Sequence, residues 1–222
     1  MRKGTLISIC IVIVGIIIAY SMIKSNLGEK ELPIIQPVDV NSEMVNPEIM
    51  NQGLGHRIGE FEFRNQYNQK VSLQDVKGKI FIAEYFFTTC QTICPIMTDE
   101  MMRVQSRFRG NDEVKILSFT VDPDIDTVET LKAYAEKHQA QKGQWHFLTG
   151  KKEELYQLAR NSFFVLKPAE ARNLGDANSD FIHTNNFVLV DRALQIRGYY
   201  DGTNPQEVNT LMDDIDLLLK EK

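Results

Sequence analysis

The sequence predicts an α/β fold, on three observations. Apolar β-branched runs alternate with helix-periodic segments along most of the chain. Cys90 and Cys94, separated by three residues, stand where one of those runs meets a helix. No internal repeat or low-complexity tract breaks the alternation. With 222 residues and 43% hydrophobic content, the chain can build one domain with a sizeable core once its N-terminus is set aside. A net charge of −5 without a basic cluster argues against a nucleic-acid ligand.

From Gly4 to Ile23 no residue is charged. About 20 helical residues at a rise of ~1.5 Å cover the ~30 Å hydrocarbon core of a bilayer, so this segment is expected to span as one transmembrane helix. Arg2 and Lys3 precede it and Lys24 follows, which places the N-terminus in the cytoplasm and the domain on the extracytoplasmic (periplasmic) side. Ala19-Tyr20-Ser21 resembles a signal-peptidase site, but the apolar run is longer than a signal peptide's, which favours a retained anchor. Cys10, with Ile9 rather than a small residue before it, reads as apolar filler. Pro33, Pro37 and Pro47 and the lack of a sustained period make the next stretch a tether. The expected division is 1–24 for cytoplasmic N-terminus and anchor, 25–54 for the tether and 55–222 for the domain.

The domain opens with a hairpin: Phe61 and Phe63 alternate with charged neighbours, Asn65-Gln66-Tyr67-Asn68 turns, and Val71 to Leu73 returns. Ile80 to Phe87 reads as a buried strand. Pro95 suits the first turn of a helix that carries Met97, Met101, Val104 and Phe108 on one face and stops at Gly110. That spacing makes the methionines core residues rather than soft metal ligands. Val114 to Val121 is the next strand. Asp126 or Thr127 caps a helix bearing Leu131, Tyr134 and Ala135, with Glu129 completing a capping box on Asp126. Trp145 to Leu148 forms a strand and Glu153 to Arg160 a helix. Phe187 to Val190 pairs with Ile196 to Tyr200 across Asp191 to Leu194, and Asn204-Pro205 starts the last helix.

The two thiols therefore lie on a strand-to-helix loop at the carboxyl end of a strand, where open α/β sheets place their chemistry and helix N–H groups favour a thiolate. Both redox and metal binding are open to such a pair, and a purely structural role in the core would need neither the spacing nor the position. The alternation suggests a thioredoxin-like fold with an N-terminal β-hairpin extension. The usual redox motif has two residues between its cysteines, however, and Thr89 stands where a Trp commonly precedes the first. The Pro-x-x-x-Thr-x-x-Cys pattern of peroxiredoxins fits neither cysteine. His183 stands ahead of a strand and after a polar loop. His56, His138 and His146 have structural explanations, His138 in a helix's last turn and His146 within a strand. Asp122 and Asp126, after the strand beside the cysteine strand, are candidates to reach the site from behind the ligands; the plainer readings are turn formation and, for Asp126, helix capping, which leaves Asp122 the better candidate.

Taken together and in this order, Thr89-Cys90-Gln91-Thr92-Ile93-Cys94-Pro95, Val121-Asp122-Pro123-Asp124-Ile125-Asp126-Thr127 and Ile182-His183-Thr184 resemble the Sco/SenC family of copper-binding, thioredoxin-like proteins. The likeness runs from about Gly59 to the C-terminus and extends to the N-terminal anchor. It implies that Cys90, Cys94 and His183 bind copper. Two departures are visible. Val128 stands where a Pro often follows the Asp-Thr pair, and Asp180 lies three residues before His183, where an acidic residue is often adjacent. The donors agree with the metal, since soft thiolates suit Cu(I) and imidazole suits either oxidation state. Zinc would want a fourth ligand around the same set.

The resemblance further implies a membrane-anchored metallochaperone, not an enzyme, that delivers copper to the cytochrome c oxidase subunit bearing the Cu(A) site. The alternative from another class is a thiol-disulfide oxidoreductase that reduces the acceptor's cysteines. Because an oxidising compartment can close Cys90 and Cys94 into a disulfide, either role calls for a thiol reductant as partner. Delivery also calls for an upstream copper donor.

Overall fold

The computed structural model describes residues 12–16, 18–19, 31–50, 55–165 and 184–221. Met1–Glu31 and Leu32–Lys222 form separate units. In the first, the described residues 12–16 and 18–19 are helical, with exposed Val12, Ile13, Val14, Ile16 and Ile18. Among the described residues no helix is long and apolar enough to cross a membrane. Most of the expected span, Gly4 to Ile23, lies outside them.

The second unit is a mixed α/β sheet in the thioredoxin-like arrangement. Its strands are β1 (Glu62–Asn65), β2 (Lys70–Ser72), β3 (Ile80–Phe86), β4 (Val114–Thr120), β5 (Trp145–Thr149), β6 (Asn186–Val190) and β7 (Ile196–Asp201). They lie in the order β2-β1-β5-β4-β3-β6-β7. β3, β4 and β5 are parallel, and the β1/β2 hairpin and the β6/β7 hairpin extend the two edges antiparallel. Helices are α1 (Pro47–Met50), α2 (Leu73–Val76), α3 (Cys94–Arg107), α4 (Val128–Lys137), α5 (Lys152–Asn161) and α6 (Pro205–Lys220).

β3 shows why the sequence builds layers. All seven of its residues are buried, as a central strand covered on both faces must be. Phe81, Ala83 and Tyr85 enter the core shared with α5, whereas Ile80, Ile82 and Phe86 enter the core shared with α3, α4 and α6. Met97, Met101 and Val104 of α3 lie in that second core, so the methionine stripe is packing. α3 ends at Phe108, and Gly110 takes a φ of 79° that a residue with a Cβ rarely adopts. Asn204 caps α6 through the Gln206 N–H at 3.0 Å.

Two expectations need correction. The packed unit begins at Leu32, so residues 32–50 belong to the domain's packing and not to a free tether. Leu32 and Val45 are buried in the two cores, Gln36 Oε1 accepts from the Gly55 and His56 N–H groups, and the buried Arg197 guanidinium donates to the Leu32 and Pro33 carbonyls. Prolines and 3-10 turns remove any period there, so an irregular packed strap has the sequence signature of a linker. The second concerns the capping box on Asp126: of the two cap candidates it is Thr127 that caps α4, accepting from the Thr130 N–H at 3.3 Å, and Asp126 does not.

Candidate metal centre

Cys90 and Cys94 are brought together at the carboxyl end of β3. A turn after the strand is closed by the Cys90 N–H donating to the Phe87 carbonyl at 3.2 Å. The helix then begins at Cys94, one residue before Pro95, and no side chain of the residue ahead of it caps the free N–H groups of the first turn. The Cys94 N–H instead donates to Cys90 Sγ at 3.4 Å, and the Thr92 hydroxyl lies 3.6 Å from the same sulfur. Both cysteines are free thiols, Cys90 half-buried and Cys94 buried.

These surroundings set the two thiols apart. Burial pushes Cys90 up, but the hydrogen bonds it receives from the Cys94 thiol, from Thr92 and from the Cys94 N–H outweigh that and hold it below the ordinary thiol value. Cys94 is pushed up to about 12, first by burial and then by donating its proton to Cys90, with smaller contributions from the Cys90 and Glu84 charges. The surroundings therefore favour the thiolate form at Cys90, the sulfur nearer solvent, and hold the proton on Cys94. A metal bound by both must displace that proton.

The acid that acts on Cys94 was not singled out from the sequence. Glu84 sits in the middle of β3 on the same side of the sheet as Cys94, almost fully buried. Oε1 accepts from the Ser118 hydroxyl at 2.5 Å, and that hydroxyl accepts from Trp145 Nε1 at 2.8 Å. Oε2 has no partner among the described residues. A single acid inside an apolar run was the available signal. Burial raises its pKa to about 7, only partly opposed by the Ser118 hydrogen bond.

Because that value lies above the ordinary 4.5, the folded chain holds a proton between pH 4.5 and about 7 that the unfolded chain has lost. Stability from this group is full below that window and falls as pH rises through it, by about 3 kcal/mol. Urea denaturation of the reduced, metal-free chain is expected to show Glu84→Gln gaining stability over wild type at pH 8 relative to pH 5. An equal difference at both pH values would contradict this.

The other wall of the site is the turn between β4 and α4. The Asp122 carbonyl accepts from the Ile125 and Asp126 N–H groups, and its own N–H donates to Thr120 Oγ1 at 2.9 Å. Asp122 thus shapes the turn through its main chain. It is Asp126, fully buried, whose carboxylate reaches the cysteine loop, accepting from the Thr88 N–H, the Thr88 hydroxyl and the Thr120 hydroxyl. Thr98, one helical turn after Cys94, pairs with the Tyr134 hydroxyl at 2.7 Å.

His183 lies outside the described residues. Among the described residues no three metal-binding side chains converge. The remaining histidines have other partners: His56 Nε2 bonds to the Ser162 carbonyl at 2.9 Å, His146 Nδ1 lies 3.2 Å from Asn65 Nδ2, and the His138 ring packs on Tyr134.

The sequence profile of the SCO1/SenC family matches residues 50–219. The SCO1 protein homolog of Bacillus subtilis is 35% identical over 166 residues, which are 73% of this chain and 80% of that protein. Among solved structures, BsSco, described as having a disulfide switch and as a member of the Sco family of cytochrome c oxidase assembly proteins, is 29% identical. Its match has a TM-score of 0.63 and covers 78% of this chain and 98% of that one. Bradyrhizobium japonicum ScoI, solved with copper bound, shares the fold at 22% identity, with a TM-score of 0.56 over 72% of this chain and 99% of that one.

Proposed function

This chain belongs to the SCO1/SenC family, and from that premise we propose that it is a copper chaperone delivering copper to cytochrome c oxidase, at the subunit bearing the Cu(A) site. The observation that carries this reading is the pair of free thiols at one helix start, one held toward the thiolate and one protonated. Two thiolates form a soft chelate for Cu(I), and with His183 as third donor the set also accommodates Cu(II). Against the two negative sulfurs Cu(I) leaves a net −1 and Cu(II) leaves none, so neither state buries a large charge. Asp122 stands behind the ligands in this proposal, through the turn it builds.

The same split in proton affinity favours the second reading. A thiol inclined to the thiolate form attacks a disulfide, and its partner, protected by its proton until the mixed disulfide has formed, then loses that proton to solvent and resolves the product, which is what a thiol-disulfide oxidoreductase needs. The two readings are separated by mixing the copper-loaded chain with the metal-free, reduced Cu(A)-bearing oxidase subunit. Delivery predicts that copper moves to the acceptor. If none moves, while in a parallel reaction the reduced, copper-free chain reduces the disulfide of the oxidised acceptor, the oxidoreductase reading replaces it.

The segment from Gly4 to Ile23 anchors the chain in the cytoplasmic membrane with the domain outside, on the strength of its length and lack of charge. Full-length protein is expected in the membrane pellet after a high-salt wash. A soluble mature form beginning near Met22 would overturn the anchor.

A further inference from the structure

Asp126 is an unusual place for a carboxylate. It is fully buried with no cation among its hydrogen-bond partners, and burial raises its pKa against the pull of those bonds. Helix capping does not explain it, because Thr127 caps α4. Its donors all come from two threonines, Thr120 at the end of β4 and Thr88 in the loop two residues before Cys90. Its own main chain is fixed by the bond from its N–H to the Asp122 carbonyl at 2.8 Å. The carboxylate, held at its main chain and by Thr120, thus ties down the turn from Phe87 to Cys90 through Thr88.

We propose that Asp126 is a positioning residue for the dithiol, clamping Thr88 so that the Cys90 sulfur stays within reach of Cys94. An unclamped loop would let Cys90 sample more positions and lower the effective concentration of one sulfur at the other. This rests on Cys90 and Cys94 acting as a pair and not on the identity of the metal, so it can fail or hold independently of copper delivery.

An aromatic disulfide reads the clamp directly in the full-length reduced chain carrying Cys10→Ser, so that only two thiols remain. In the first step the Cys90 thiolate attacks one sulfur of the probe, forming a mixed disulfide and releasing one aromatic thiolate. In the second, Cys94 loses its proton to solvent and attacks Cys90 Sγ, closing the disulfide and releasing the second aromatic thiolate. Two electrons pass from the dithiol to the probe. The first step is bimolecular and reports the reactivity of Cys90 in its surroundings; the second is unimolecular and reports positioning.

Asp126→Ala and Thr88→Val are each expected to slow the second step at least ~10-fold and by more than they slow the first, which falls only as far as Cys90 loses its hydrogen bonds from Cys94. The double variant should be no slower than the slower single one, because both remove the same clamp. Asp126→Asn, which keeps an acceptor oxygen, should recover part of the rate. Thr88→Val preserves shape and tests the clamp from the other side if Asp126→Ala does not fold. A second step within twofold of wild type in the folded variants would overturn the proposal, as would fully additive slowing in the double variant.

Discussion

Replacing either Cys90 or Cys94 by alanine is expected to abolish tight copper binding, lowering Cu(I) affinity by more than the ~100-fold that losing a mere outer partner can cost. The two sulfurs do not contribute through the same environment. Cys90 is half-buried and held toward the thiolate, so it is the side that meets an incoming ion. Cys94 is buried, with its proton held by burial and by Cys90, and closes the chelate from beneath once that proton leaves. Cys90→Ala leaves a buried thiol that resists ionisation. Cys94→Ala removes the second sulfur and, with it, the thiol whose hydrogen bond favours the Cys90 thiolate. Competition titrations with a Cu(I) chelator measure both, and wild-type affinity in either variant would reject the dithiol as the site.

His183→Ala is expected to weaken Cu(II) far more than Cu(I). Two thiolates satisfy Cu(I) in two-coordinate geometry, whereas Cu(II) wants further donors and imidazole is one it prefers. The variant should therefore bind Cu(I) nearly as the parent does while losing Cu(II), shifting the bound copper toward the reduced ion. Paired Cu(I) and Cu(II) affinity titrations of the reduced parent and variant check this. Equal losses for both ions would contradict the division of labour.

The sheet was legible because its signals are local: the β-branched runs of β3 and β4, the Asn65 to Asn68 turn and the Asn204-Pro205 start of α6 each carry their own periodicity or cap. The thiol pair was legible for the same reason, being encoded within five consecutive positions. What escaped depends on contacts far apart in sequence. Asp126 looks like a helix cap beside Thr127, and only the fold brings Thr88, 38 residues away, onto its carboxylate. Glu84 looks like one polar residue in a strand until β4 places Ser118 against it. The strap of residues 32–50 has the sequence of a tether because packing without a period leaves no pattern, although Leu32 and Val45 are buried. His183 drew its weight from the family resemblance, since a lone histidine ahead of a strand specifies no ligand role.

The central claim is that the reduced Cys90 and Cys94 pair carries the copper that is delivered. Metal analysis of the full-length chain with Cys10→Ser, after Cu(I) titration and removal of loosely held metal by a competing chelator, tests it most directly when the reduced protein is compared with the same protein closed as the Cys90–Cys94 disulfide. One tightly held copper per reduced chain and none in the disulfide form is the expected result. Copper retained equally by the disulfide form would contradict it.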